Sequence, residues 1–266
     1  MPAELDLGAY LRRLGLSAPP PADLEGLRSL HFAHATTIPF ENLDIQMGLR
    51  IHLDLASLQD KLVRRRRGGY CFEHNTLFLA ALRALGFEAM PCEARVRLGA
   101  PELLPRTHML LLVTLGGPSL LCDVGFGGEG LLYPVPLDGG AHPQFLNTYR
   151  VQAEGPLRVL QSLHQGAWED LYAFEPAARP AVDFEVANHY TGTHPESRFV
   201  KTLTAQLPGP EVRRILRNRA YAELRGDQAT GREVAPEELL QVLHDRFGIE
   251  VPPGATFRAF EGQGGG

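Results

Sequence analysis

Arg67-Gly68-Gly69-Tyr70-Cys71-Phe72-Glu73-His74-Asn75 is the stretch on which the reading of this 266-residue chain turns. Its two glycines permit a tight backbone turn. Beyond it, Phe78, Leu79, Leu82 and Leu85 recur at helical spacing, and Gly86 is placed to cap a helix running from about Cys71 to Leu85. Cys71 therefore falls at or near a helix N-terminus. That end of a helix stabilises negative charge and so favours a thiolate, while its free N–H groups suit an oxyanion. The competing reading is that an unpaired cysteine is a small buried hydrophobe. The Gly-Gly turn and the polar neighbours tell for reactivity. Cys92, in a strand-like segment, and Cys122, in an apolar run, lack such a setting and read as structural.

Upstream, the chain is helical. Leu7, Tyr10, Leu11 and Leu14 share one helical face, Leu24, Leu27 and Leu30 continue the period, and Pro19-Pro20-Pro21 separates the two helices. Arg64 to Arg67 reads as the end of a helix running into a turn. Downstream of Phe87 the period changes. Val96 and Leu98 alternate with Arg95 and Arg97, and Met109 to Leu115 is a dense apolar run. Leu120–Val124, Thr148–Gln152, Leu157–Leu163 and Trp168–Phe174 follow, divided by turns such as Gly116-Gly117-Pro118. Short strands at this spacing predict an antiparallel sheet or small barrel. Past Pro195 the pattern is mixed: Val212–Leu224 and Gly231–Val234 read as strands around a Gly226-Asp227 turn, and Pro236–Phe247 as a helix closed by Gly248. The Gly264–Gly266 tail reads as mobile.

Hydrophobic residues make up 44% and charged residues 21% of the chain, the balance of a globular protein. A formal charge of −5 with one short arginine run argues against nucleic acid. No apolar stretch approaches the roughly 18 to 20 residues of a membrane helix, and the acidic Met1-Pro2-Ala3-Glu4-Leu5 start is unlike a signal peptide. A cytoplasmic protein is expected. Three widely spaced cysteines make no disulfide framework.

A cysteine nucleophile needs a base, and the base an orienting acid. His108 opens the apolar strand Met109–Val113. Asp123 ends Leu120-Leu121-Cys122 and precedes Val124-Gly125-Phe126-Gly127-Gly128. A carboxylate there is costly to bury without a partner. A hairpin of residues 108–114 and 119–124 around Gly116-Gly117-Pro118 would set His108 and Asp123 opposite or nearly opposite each other. On spacing alone Asp123 reads equally as a turn residue and His108 as a satisfied core histidine.

These residues resemble the arylamine N-acetyltransferase family. The resemblance rests on Arg67-Gly68-Gly69-Tyr70-Cys71-Phe72-Glu73 with Asn75, on His108 before an apolar strand, and on Asp123-Val124-Gly125-Phe126-Gly127. Ile38-Pro39-Phe40-Glu41-Asn42-Leu43 upstream and Pro195-Glu196-Ser197-Arg198-Phe199 downstream fit in the family's order. It implies an α+β fold with a cysteine-protease-like catalytic core: an N-terminal helical bundle over residues 1–88, an antiparallel β-barrel-like middle domain over 89–195 and a C-terminal α/β lid over 196–266. It also implies a ping-pong reaction in which acetyl-CoA acylates Cys71 and an arylamine, arylhydrazine or N-hydroxyarylamine accepts the acetyl group, with His108 managing protons and Asp123 holding the imidazole. No metal, nucleic acid or membrane partner is implied, and the chain is expected as a monomer or homodimer. Phe126 is the expected aromatic wall against the acceptor, with Phe40, Tyr70 and Thr107 as further lining. Gly127 and Gly128 would let a pantetheine arm approach the backbone, although glycines after a strand also serve simply as a turn. Arg67 and Glu41 would form a buried ion pair bracing the active-site turn. His74 departs from the family, which more often has Gln or an aliphatic residue there. A second imidazole near Cys71 is expected to be solvated or satisfied in the core rather than a rival partner for the thiol.

Three other readings compete: an amide synthase of the same family acting on a polyketide thioester, a Cys-His-Asp thiol hydrolase or transglutaminase-like enzyme, and a metal-binding scaffold using Cys71, His74 and His108. The last lacks paired Cys-x-x-Cys or His-x-x-x-His spacing.

Overall fold

A computed structural model of the chain describes residues 4–100, 102–226, 228–252 and 254–260, so Asp227 of the expected turn and the Gly264–Gly266 tail lie outside the described residues. The first part is helical. Helix α1 (Leu7–Arg13) starts at Asp6, whose carboxylate accepts from the Ala9 N–H, and α2 (Leu24–Thr37) starts at Asp23, which accepts from Gly26 N–H. A two-residue strand β1 (Phe40–Glu41) leads into the short α3 (Leu43–Gln46). The equally short α4 (Leu55–Leu58) then widens into a single π-turn over Gln59–Arg64. Arg66 takes a φ of 54°, which ends the turn and swings Arg67 inward while Arg64, Arg65 and Arg66 stay in solvent. Helix α5 (Cys71–Ala84) begins at Cys71 itself, and Gly86 leaves it with a φ of 87°.

The middle of the chain forms one antiparallel sheet of strands β2 (Glu88–Val96), β3 (His108–Thr114), β4 (Leu120–Cys122), β5 (Val135–Pro136), β6 (His142–Gln144), β7 (Asn147–Glu154), β8 (Leu157–His164) and β9 (Ala167–Phe174). Its order is β5-β4-β3-β2-β9-β8-β7-β6, with β5 packing back on β7, so the sheet curls toward a barrel. The apolar run in β3 is continuous because both faces are covered. Met109, Leu111 and Val113 pack with α5 and the helical core, while Leu110 and Leu112 face the sheet interior with Tyr149, Leu160 and Tyr172. Pro91 sits within β2 where, among the described strands, it pairs with β3 alone, so its missing N–H breaks no ladder on the other side. Leu98, read from sequence as part of an alternating strand, lies just past the end of β2 instead.

Helix α6 (Ala181–Thr193) returns to the helical part through Phe184 and Ala187. Its apolar residues are spread around the helix, with Val182, Val186 and Tyr190 outside, so no helical stripe marks it in the sequence. After α7 (Arg198–Lys201), strands β10 (Thr204–Leu207), β11 (Arg213–Arg217), β12 (Ala220–Arg225) and β13 (Gln228–Glu233) form a second antiparallel sheet, which β1 completes beside β10. Helix α8 (Leu239–Phe247) follows a single 3-10 turn at Pro236–Glu238 and ends at a left-handed Gly248. Among the described residues no helix is long and apolar enough to cross a membrane.

Candidate active site

The turn before Cys71 is glycine-rich because of close approach, not because of unusual backbone angles. A Cβ on Gly68 would lie 2.0 Å from the Pro39 carbonyl oxygen, and one on Gly69 would lie 2.8 Å from a carboxylate oxygen of Glu73. The Gly69 N–H donates to Pro39 O and the Glu41 N–H to Gly69 O, which fastens the turn to β1. Glu73 then reaches back to accept from the Tyr70 N–H at 3.1 Å, and α5 starts.

A cluster of five buried charges supports this start. Arg67 donates to Glu41 at 2.8 and 3.0 Å and to Asp44 at 3.0 Å. Lys61 sits 2.8 Å from both Asp44 and Glu73. The sequence pointed to Arg67 and Glu41 only. Lys61, Asp44 and Glu73 come from three different turns, and no local pattern links them. Burial raises the Glu73 carboxyl to about 7 despite Lys61 beside it.

Cys71, His108 and Asp123 come together at the N-terminus of α5. His108 Nε2 lies 2.7 Å from Asp123 Oδ2, and His108 and Cys71 line one cavity, close enough for Cys71 to favour the charged ring. Burial opposes charge on His108, but Asp123 and Cys71 outweigh it and hold the imidazole up to about 10. Asp123 is fully buried yet held below the usual carboxylate range: burial works against its charge, and His108, Asn75 Nδ2 at 3.0 Å and the Gly125 N–H at 2.9 Å favour it. Its own N–H donates to His31 Nε2 at 3.1 Å, and His31 Nδ1 donates to Leu132 O. Asn75, two positions after Glu73, therefore orients the acid from α5. A Cβ on Gly125 would lie 2.8 Å from Cys71 Cα, so this glycine lets the loop after β4 seat against the cysteine.

Burial pushes the Cys92 thiol up to about 12 and Cys122 well above the ordinary thiol value, in keeping with structural roles. His74 is also accounted for. Tyr10 OH donates to His34 Nδ1 (2.7 Å), His34 Nε2 donates to His74 Nδ1 (2.9 Å), and His74 Nε2 donates to Pro39 O (3.1 Å). The carbonyl at the end fixes every tautomer in this chain, and His74 faces the core rather than the thiol.

Cys71 opens onto a cavity of about 330 Å³. Phe126, Phe40, Thr107 and His108 line it, as do Leu98, Leu104, Tyr190, Phe199, Arg198 and Arg217, none of which the sequence had assigned. Phe126 stands edge-on to His108, with ring centres 5.2 Å apart. The Thr107 carbonyl lies 3.7 Å from Cys71 Sγ. The structure does not bring Tyr70, Gly127 or Gly128 to this cavity. The Tyr70 ring is buried against Phe72 and Phe199, with its hydroxyl on the Asn188 side chain. Gly127 and Gly128 lie against Gln206 and Ile215 of the second sheet, where any Cβ would collide with the Gln206 amide. Among the described residues no group of three or more His, Cys, Asp or Glu side chains is placed to hold a metal.

A family model for N-acetyltransferases matches residues 23–256. The arylamine N-acetyltransferase of Mycolicibacterium smegmatis is 39% identical over 255 residues, which are 93% of this chain and 93% of the relative. The arylamine N-acetyltransferase / N-hydroxyarylamine O-acetyltransferase of Salmonella typhimurium is 36% identical over 92% of this chain and 89% of its own. Its arylamine N-acetyltransferase structure superimposes with a TM-score of 0.89 at 34% identity, covering 97% of both chains. The structure of Mycobacterium marinum arylamine N-acetyltransferase in complex with CoA superimposes with a TM-score of 0.87 at 38% identity, covering 92% of this chain and 93% of the other.

Proposed function

Because the chain belongs to the arylamine N-acetyltransferase family, we propose that it moves an acetyl group from acetyl-CoA, through a thioester on Cys71, to an arylamine, arylhydrazine or N-hydroxyarylamine. The observation that carries this is the 2.7 Å pairing of His108 with the buried Asp123, with Cys71 and His108 lining one cavity. The CoA held by the Mycobacterium marinum relative supports the donor.

In the first half-reaction Cys71 Sγ, its proton held on His108, attacks the thioester carbonyl carbon. The oxygen gathers negative charge against the first-turn N–H groups of α5, which have no partner within the helix. The C–S bond to the coenzyme then breaks, and the departing sulfur takes the proton from His108. In the second half-reaction the amine nitrogen attacks the Cys71 thioester and gives its proton to His108 as Sγ leaves. Asp123 keeps the ring oriented and charge-balanced in both halves. Phe126, with Phe40 and Thr107, walls the acceptor ring, and Arg67 with Glu41 braces the turn that carries Cys71.

The same reading takes residues 1–88, 89–195 and 196–266 as helical bundle, barrel-like domain and lid around a cysteine-protease-like core. It places the protein in the cytoplasm as a monomer or homodimer. Intact mass after incubation with acetyl-CoA alone tests it. One acetyl group should appear on the wild type, leave on addition of an arylamine, and never appear on Cys71→Ala. A wild type that stays unmodified overturns the acetyl-transfer reading.

A further inference from the structure

The cavity above Cys71 is lined by two guanidinium groups, Arg198 at the start of α7 and Arg217 at the end of β11. Neither side chain makes a hydrogen bond or ion pair with another described residue, although carboxylates lie on the same wall. Those carboxylates have other partners: Glu196 pairs with Lys201, and Glu129 accepts from Asn147 and lies 3.4 Å from His164. The two arginines are close enough to disfavour each other. Desolvation where it meets the cavity wall and the charge of Arg217 lower the Arg198 pKa, although the residue as a whole is exposed. Both side chains are solvent-exposed where they line the cavity, and among the described residues no carboxylate pairs with either, so only solvent screens their mutual repulsion. An anion with several oxygens bridging both guanidiniums removes that cost, and guanidinium geometry matches phosphate with paired N–H donors.

We propose that Arg198 and Arg217 form a two-guanidinium clamp for the phosphate groups of the coenzyme donor, holding them at the cavity mouth while the thioester reaches Cys71. This rests on the acetyl-CoA reading above and supplies a phosphate contact for it, since no Walker-type phosphate loop occurs in the chain. The register Thr204↔Arg217 between β10 and β11 fixes the base of Arg217, and Arg198 follows Ser197, whose hydroxyl donates to Thr191 O. Both side chains therefore project from anchored backbone.

The test compares acylation of Cys71 by acetyl-CoA and by S-acetylpantetheine, which has the same thioester arm without phosphates, in wild type, Arg198→Gln, Arg217→Gln and the double variant. Calorimetric binding of CoA, dephospho-CoA and pantetheine is measured alongside. Each single substitution should slow acylation by acetyl-CoA roughly ten- to a hundred-fold, as loss of a charge-assisted contact does, and leave S-acetylpantetheine within about two-fold. CoA binding should weaken in parallel and pantetheine binding should not. Dephospho-CoA assigns the contact: retained affinity places the clamp on the diphosphate, and affinity lost in the wild type places it on the 3′-phosphate. Melting temperatures of the free variants should equal or exceed that of the wild type, because a repulsion has been removed. Equal slowing with both donors, or unchanged CoA binding in the double variant, overturns the proposal. So does a defect confined to carboxylated acceptors such as 4-aminobenzoate, which would make the pair an acceptor site. A wild type acylated by neither donor fails the parent reading instead.

Discussion

His108 Nε2 meets Asp123 Oδ2 at 2.7 Å, although the two residues are not cross-strand partners. The β3–β4 register pairs Leu111 with Cys122, so its extension would set His108 against Gly125 and leave Asp123 two positions away on the same face. The contact is diagonal, within reach of a long side chain. It closes because β4 ends at Cys122 and Gly125 and Asn75 turn the carboxylate back toward the ring.

That contact predicts where the His108 proton stays. The native ring is held up to about 10 against an ordinary 6.5, so its pairing stabilises the fold fully below about pH 6.5 and is lost as pH rises through about 10. Nitrogen-15 NMR of the imidazole should show His108 doubly protonated at pH 8. Asp123→Asn should move its titration down by several units and slow Cys71 acylation by about 10³- to 10⁴-fold, as expected when the orienting acid of a triad is lost. A ring already neutral at pH 8 in the wild type would contradict this.

How much of this was legible in the sequence depends on range. Cys71 at a helix start, Gly86 at its end and Gly248 after the last helix are local signals, and the structure has all three. The Arg67–Glu41 pair was legible only through the resemblance. Its extension to Asp44, Lys61 and Glu73 was not, because five residues from three segments meet only after packing. Tyr70, Gly127 and Gly128 were misplaced relative to the cavity for a related reason. Sequence neighbours of Cys71 and Asp123 look like site residues, but strand and helix geometry turns alternate positions away. Phe199, Arg198 and Arg217 enter from the second sheet and α7, whose placement no periodicity revealed.

Removing one member of the buried charge cluster should be severe. Glu41 is fully buried, and Arg67→Ala leaves its carboxylate facing Asp44 without its cation. Urea unfolding should show a loss of about 3–5 kcal/mol, the range for breaking a buried pair from one side. Arg67→Lys should recover part of this, because it keeps the charge and gives up the forked contact to both carboxylates. A loss below about 1 kcal/mol would mean that water enters the cluster.

Phe126 should separate the two half-reactions. Its edge contact with His108 is worth about 0.5–1.5 kcal/mol beyond simple burial, so Phe126→Leu should slow acylation by acetyl-CoA no more than about ten-fold. If the ring walls the acceptor, KM for arylamines should rise by more than that and lose its dependence on ring substituents. Steady-state kinetics with two acceptors of different width decide it, and unchanged acceptor KM would remove Phe126 from the acceptor wall.

The three buried histidines should make the fold acid-sensitive well above the carboxylate range. Burial lowers His31 and His74 to about 4 and His34 well below its ordinary value, so the native state holds all three neutral while the unfolded chain protonates near 6.5. Between about pH 4 and 6.5 the unfolded state therefore binds more protons, and stability rises with pH by about 1.4 kcal/mol per unit for each such group. Glu73 acts in the opposite sense. Raised from 4.5 to about 7, it binds its proton in the native state first, so its contribution falls as pH rises through that window. Glu93, whose pKa burial also raises, acts with it; three histidines against these two carboxyls leave the net slope positive, and urea midpoints should climb from pH 5 to 6.5. His74→Gln should flatten the slope by about one group without unfolding the protein, since an amide can still accept from His34 and donate to Pro39 O. Glu73→Gln should steepen it. If both variants keep the wild-type slope, the protons taken up in acid belong to other groups.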